Sequence, residues 1–211
     1  MKIAVVDYGM GNLRSVSKAL EQVAPASEVI VTSLPAQIAS ADRVVFPGQG
    51  AMPDCMRELD ARNLRHAVTV AAANKPFLGI CIGLQMLFDR SEEGDVAGLG
   101  VLRGAVRRFP HAEMRGADGT RLKVPHMGWN RVAQRMEHPL WAGIPDGDRY
   151  YFVHSYYAYP SDDGLVCGDT EYGLRFACAV ARGNIFAVQF HPEKSASAGL
   201  RLLANFINWN P

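Results

Sequence analysis

A cysteine with glycine two residues away on either side, in "LGICIGL", is where this chain first concentrates chemistry. Gly79-x-Cys81-x-Gly83 joins an apolar strand-like run to a helix-like one, so Cys81 falls at a strand-to-helix turn. Such a turn needs small residues two positions either way, because a side chain there would strike it. It exposes the sulfur at a strand end and sets it at a helix N-terminus, whose partial positive charge favours thiolate. It also leaves the backbone N–H of Ile82 free to meet a developing oxyanion. A thiol nucleophile wants an imidazole, and the imidazole wants a group that holds its tautomer. His191 fits that need: it follows the apolar run "NIFAVQF" and stands in "QFHPEKS", with Glu193 two residues on. Pro192 keeps the stretch extended, so both side chains can project to the same side. His66 lies in a helical stretch, His111 and His138 stand by prolines in loops, and His126 and His154 have strand-like surroundings. Each of these, taken alone, reads as a solvated or satisfied histidine. Cys81 taken alone reads equally well as a buried structural thiol, and Cys55, Cys167 and Cys178 have no comparable setting. The order nucleophile, histidine, acid differs from that of the α/β-hydrolases, where the acid precedes a distant histidine.

Both constellations must sit at strand ends, and the surrounding pattern supplies the strands. "KIAVVD", "SEVIVTS", "DRVVFPG" and "PFLGIC" read as buried strands. Between them "NLRSVSKALEQV", apolar at Leu13, Val16, Leu20 and Val23, and "MPDCMRELDARNLRHAVTVAAAN" read as helices. Strands separated by helices imply a parallel sheet covered on both faces, with every strand's C-terminal end on one ligand-binding edge. From about residue 100 the strands become shorter, more polar and aromatic: "GVLRGAVRRFP", "RLKVPHMGWNRVA", "RYYFVHSYYAY" and "LRFACAVARGNIFAVQF". In the last, "ARGN" looks like a hairpin turn. "SASAGLRLLANFINW" reads as a final helix with Ser195 or Ser197 as N-cap. There is no repeat, low-complexity tract or linker, so one α/β domain over residues 1–211 is expected, with an antiparallel extension in its second half.

Bulk properties exclude several classes. The 48% hydrophobic content of 211 residues supplies a sizeable core. Lys+Arg 22 against Asp+Glu 21 predicts no bulk attraction to nucleic acid or anionic membrane. Residues 103–123, with six basic and two acidic side chains, read as solvated strand faces and loops. The cysteines form no C-x-x-C pair and no paired His spacing appears, so a zinc site is unsupported. No G-x-x-x-x-G-K-[ST] loop is present to cradle a nucleotide. The opening "MKIAVVDYGMGN" is too short for a signal peptide, and no run approaches the ~18 apolar residues of a membrane span. A cytoplasmic protein with reduced thiols is expected.

"GICIGLQMLF" together with "QFHPEKS" resembles the class I (triad) glutamine amidotransferases. "DYGMGNLRSV", "FPGQGAMPDCM", "VPHMGWN", "YYFVHSYY" and "HPEKSASAGLRLLANF" are similar, essentially end to end, to one group among them, the glutaminase subunits of imidazole glycerol phosphate synthases. The resemblance implies a flavodoxin-like open, mostly parallel sheet with helices on both faces. It implies hydrolysis of glutamine through a Cys-His-Glu triad of Cys81, His191 and Glu193, with no metal or cofactor in this chain. The partner would be a (β/α)8-barrel cyclase subunit, in a heterodimer, that receives the ammonia for histidine biosynthesis. By the same likeness the N–H groups of Gln49 and Ile82 would form the oxyanion hole. Gly48, Gln85, Ser155 and Tyr156 would hold glutamine. Asn12, Trp129, Tyr151 and Lys194 would face the barrel, and the tryptophan of "MGWN" suits an interface anchor. One departure is Gln49 itself, where family members often carry a small apolar residue; a backbone donor tolerates that change. A triad amidotransferase of another pathway, or a non-catalytic regulatory protein on a flavodoxin-like sheet, are the alternatives.

Overall fold

Short apolar runs, spaced by helices, pair in parallel as the alternation requires. The computed structural model of the chain describes residues 1–110, 114–116 and 119–211; His111, Glu113 and Asp118 lie outside the described residues. The first half runs β1 (Lys2–Val6), α1 (Leu13–Val23), β2 (Glu28–Thr32), α2 (Pro35–Ser40) and β3 (Arg43–Phe46). It continues through α3 (Met52–Ala61), α4 (Arg65–Asn74), β4 (Phe77–Ile80) and α5 (Ile82–Met86). The second half holds β5 (Phe88–Ser91), β6 (Val96–Ala97), β7 (Leu102–Arg108), β8 (His126–Arg131), β9 (Ala133–Gln134) and β10 (Arg149–His154). β11 (Tyr156–Pro160), β12 (Val166–Glu171), β13 (Arg175–Arg182), β14 (Ile185–Val188) and α6 (Ala196–Asn208) complete it.

β2, β1, β3, β4 and β14 lie side by side and parallel, the 2-1-3-4-5 order of flavodoxin-like sheets with β14 in fifth place. β13 returns antiparallel to β14, and β11, β7, β5 and β6 extend the sheet beyond it. β8 and β10 form a separate antiparallel pair. Every residue of β3, β4 and β14 is buried, as strands covered on both faces must be. Ile3, Val5, Val45, Leu78 and Val188 face α1 and α6, while Ala4, Val6, Val44, Phe46 and Phe77 face α2, α3 and α4.

Four local features depart from the sequence reading. The helical run 52–74 is two helices, broken at Asn63, whose φ of 56° is a left-handed value that asparagine tolerates. α2 was not anticipated; its proline stands in the first turn, where a missing N–H costs nothing. "RYYFVHSYYAY" bends at Ser155, so that β10 pairs β8 while β11 joins the main sheet. Ser195 precedes α6 but makes no side-chain cap, because its hydroxyl serves other partners described below.

Candidate active site

Cys81 directly follows β4 with φ 56° and ψ −110°, a conformation that L side chains rarely adopt. Its N–H donates to the Val188 carbonyl at 2.7 Å, and its carbonyl accepts from Leu84 and Gln85 at 3.1 and 3.3 Å, which starts α5. The flanking glycines answer to the neighbouring strands as well as to the turn. A Cβ on Gly83 would stand 1.8 Å from the Phe46 carbonyl oxygen at the end of β3. One on Gly79 would stand 2.9 Å from the Ala187 side chain on β14. Both neighbours of β4 therefore press on the elbow, and only glycine lets them.

β14 is one of those neighbours, and it delivers the base. Beyond it the chain passes Gln189 and Phe190 to His191, whose Nδ1–H donates to Glu193 Oε1 at 2.8 Å. The two side chains are 5% and 2% exposed. Burial opposes a charged ring, but Cys81 and Glu193 close by outweigh it and raise the imidazole's pKa above its ordinary value. With Nδ1 committed to the carboxylate, Nε2 is the free ring nitrogen; it is buried and has no hydrogen-bond partner. The backbone is clamped too. His191 N–H donates to the Tyr151 carbonyl at 2.9 Å. The Ser195 hydroxyl donates to the His191 carbonyl at 2.6 Å and accepts the Tyr151 N–H at 3.0 Å.

In front of the sulfur lies a cleft of about 220 Å³ lined by Cys81, Ile82, Gln85, Gly50, Ser155 and Tyr156, with Glu93 and His154 also at its wall. Gly48 is buried against the elbow: a Cβ there would fall 2.3 Å from the Ile82 side chain and 1.8 Å from the Tyr8 hydroxyl. The turn 47–50 thus adjoins Ile82, although the Gln49 side chain itself is exposed. Gln85 is 3% exposed, and its Nε2 donates to the Tyr156 carbonyl and to Gln189 Oε1, both at 3.0 Å. Both amide protons are thereby engaged, so towards the cleft it has only its oxygen to offer.

Two residues here were missed from sequence. Gln189 is fully buried with Nε2 3.8 Å from Cys81 Sγ, and its signal was a single amide within the apolar run "IFAVQF". Glu93 caps α3 by accepting the Met52 N–H at 2.8 Å; nothing in "SEEGD" marks it for the cleft. The other cysteines are buried, and burial pushes Cys55 up to about 11 and Cys167 up to about 12, with Cys178 raised likewise. Among the described residues no group of three or more His, Cys, Asp or Glu could hold a metal ion. No helix there is long and apolar enough to cross a membrane.

Trp129 and Tyr151 stand directly opposite each other on β8 and β10, with rings 6.1 Å apart at 75°. Trp129 is 52% exposed, so it stands outside the core. Asn12 is exposed and caps α1 through the Ser15 N–H, and Lys194 is half-buried directly after Glu193. Asn12 follows β1 and Lys194 follows β14, while Tyr151 is bonded to His191, so these residues share the sheet's C-terminal edge with the thiol.

The family model described as "Glutamine amidotransferase class-I" matches residues 4–209. A relative called imidazole glycerol phosphate synthase subunit HisH, from Aromatoleum aromaticum, is 69% identical over 99% of both chains. One of the same name from Chromobacterium violaceum is 56% identical over 100% of this chain and 99% of its own. Among solved structures, the glutaminase domain of Trypanosoma brucei CTPS with bound acivicin superposes with a TM-score of 0.64 at 18% identity, covering 100% of this chain and 95% of that one. A glutamine amidotransferase from Thermotoga maritima gives 0.62 at 17% identity, covering 94% and 78%. At such identities the structures speak for the fold.

Proposed function

The chain belongs to the class-I glutamine amidotransferase family, and from that premise we propose that it is the glutaminase subunit of an imidazole glycerol phosphate synthase, hydrolysing glutamine to glutamate and ammonia. One observation carries the chemistry: a thiol on a glycine-flanked turn, with a buried His–Glu pair delivered by the adjoining strand. Relatives bearing that subunit's name, 56% and 69% identical end to end, support the narrower assignment.

In this reading the Cys81 thiol gives its proton to His191 Nε2 and Sγ attacks the side-chain amide carbon of glutamine. Charge moves onto the amide oxygen, where the N–H groups of Ile82 and Gln49 receive it. His191 passes a proton from Nε2 to the departing nitrogen, so ammonia leaves and a thioester remains. Water then attacks the thioester while His191 takes its proton, and glutamate departs from the restored thiol. Glu193 holds Nδ1–H, which keeps Nε2 the working nitrogen and stabilises the charged ring. Gly48, Gln85 and the Ser155–Tyr156 backbone hold the substrate, and the carboxylate of Glu93 suits its ammonium group.

Ammonia released to water is lost as ammonium, so the product goes to a second subunit. We assign that role to a (β/α)8-barrel cyclase, which makes imidazole glycerol phosphate and aminoimidazole carboxamide ribotide in the cytoplasm. Asn12, Trp129, Tyr151 and Lys194 form the docking face, with Lys194 pairing an acidic residue of the barrel, and residues 1–211 act as one domain. The test is glutamate release by the chain alone, with the cyclase, and with the cyclase plus its ribonucleotide substrate. A large rise in the third condition is expected. Strong release indifferent to the cyclase would remove the pathway, and no release at all would remove the glutaminase.

A further inference from the structure

Two histidines unused by that mechanism stand at the cleft wall and behind it. His126 and His154 face each other across β8 and β10, are 2% and 6% exposed, and meet through His126 Nδ1 and His154 Nε2 at 3.0 Å. The surroundings fix where every proton sits. At the inner end His154 Nδ1 lies 2.8 Å from the Tyr156 carbonyl oxygen, which can only accept, so Nδ1 carries the proton. At the outer end Asn130 Nδ2 lies 3.3 Å from His126 Nε2. The Asn130 amide cannot be reversed, because its Oδ1 accepts the Arg131 N–H and its Nδ2 donates to the Glu171 carbonyl, both at 2.8 Å. Nδ2 is therefore the donor and His126 Nε2 the acceptor. A neutral His126 then keeps its proton on Nδ1 and gives it to His154 Nε2. All three bonds point one way, from Asn130 through His126 and His154 to the Tyr156 carbonyl.

The chain closes only if both rings are neutral. Burial favours that state, lowering His126 to about 4 and, with the charges of His126 and His191 adding to the effect, His154 to about 3. Packing holds the rings still. His126 stacks on Phe152 and Tyr172, with centroids 4.8 and 4.0 Å away, and His154 lies 5.3 Å from both Phe109 and Phe176.

We propose that Asn130, His126 and His154 are positioning residues, a one-way hydrogen-bond relay that sets the Tyr156 carbonyl at the glutamine pocket; this rests on the glutaminase reading above. The same carbonyl accepts from Gln85, which bonds Gln189 beside the Cys81 sulfur, so the relay braces the wall up to the nucleophile. Its outer end opens into a cleft of about 340 Å³ beside Trp129, on the proposed docking face.

Asn130 is half-buried, and Asn130→Asp keeps its size while withdrawing both donations of Nδ2. The carboxylate still accepts the Arg131 N–H but can donate neither to the Glu171 carbonyl nor to His126, so the outer anchor is lost, and His126 takes a second proton on Nε2 and shifts towards the new charge. In the complex with the cyclase and its ribonucleotide substrate, KM for glutamine should rise about three- to tenfold, the size of one misaligned hydrogen bond, with a smaller change in kcat. Nitrogen-15 NMR should show protonated Nδ1 and unprotonated Nε2 on both rings of the wild type, and a doubly protonated His126 in the variant. A protonated Nε2 on either wild-type ring overturns the relay. An unchanged KM in a variant whose His126 is charged overturns the positioning role. A wild-type complex that releases no glutamate strikes the glutaminase reading instead, and the NMR measurement still decides the relay.

Discussion

Gly83 has no room for a methyl group, because the Phe46 carbonyl already stands where a Cβ would be. Gly83→Ala must therefore push β3 and the elbow apart, and a cost of about 1–3 kcal/mol is expected in urea denaturation, together with loss of glutaminase activity. A variant with wild-type stability and activity would show the elbow to be softer than its geometry. Cys81→Ser leaves the packing nearly unchanged and removes the nucleophile. Glutamine-dependent synthesis should vanish while synthesis from added ammonium persists, and loss of both would refute the division of labour between two subunits. Glu193→Gln keeps the shape but withdraws the carboxylate charge that raises His191. Turnover should fall by roughly 10²–10⁴; full activity would remove Glu193 from the triad.

Between residue and fold, the segment that carries His191 owes its place to Ser195. That hydroxyl, 1% exposed, bridges the His191 carbonyl and the Tyr151 N–H, and so ties the stretch after β14 to β10. Ser195→Ala would strand the Tyr151 N–H and leave the His191 carbonyl with the Lys194 N–H alone, at about 1–3 kcal/mol of stability. A thermal or urea midpoint equal to wild type would show that water replaces the hydroxyl. Elements were legible in the sequence where one period dominated a run, as for β1, α1 and α6. They were misread where the break came from outside the run. Nothing between Tyr150 and Tyr159 signals that Ser155 is where the chain leaves β8 for the main sheet. The same cause hid the N-cap: Ser195 was visible as a capping residue, but its hydroxyl is claimed by a histidine and by a strand distant in the chain.

At the scale of the molecule, His126 and His154 are buried neutral rings whose folded values lie below the unfolded value near 6.5. The unfolded chain binds their protons first as pH falls, so their contribution to stability is present above about 6.5 and lost below it. Between pH 6.5 and 5, where most carboxylates stay ionised, the loss should reach up to about 2 kcal/mol per ring. His138, lowered to about 4 by burial, adds to the same slope, while His191, raised instead, is charged in the folded state throughout and adds little below 6.5. Urea midpoints at pH 6.5 and 5 that coincide would contradict burial of these rings. At the outer edge, Trp129→Ala should leave the isolated chain's stability unchanged and weaken the complex with the cyclase by about 1 kcal/mol or more, read by titration calorimetry. Equal affinity would take Trp129 off the docking face.

Local composition alone determined the strand-helix alternation, the glycine-flanked thiol and the His-Pro-Glu spacing. These depend on neighbours a few residues apart, where steric and periodic rules act directly. Tertiary structure decided which distant groups share a wall. Gln189 meets Gln85 beside the sulfur, Glu93 reaches the cleft from a loop, and His126 finds His154 because β8 and β10 pair in one register. Hydrogen bonds between residues far apart in the chain form only after hydrophobic burial has brought their strands together. A sequence records the donors and acceptors, but the packing of the sheet chooses their partners.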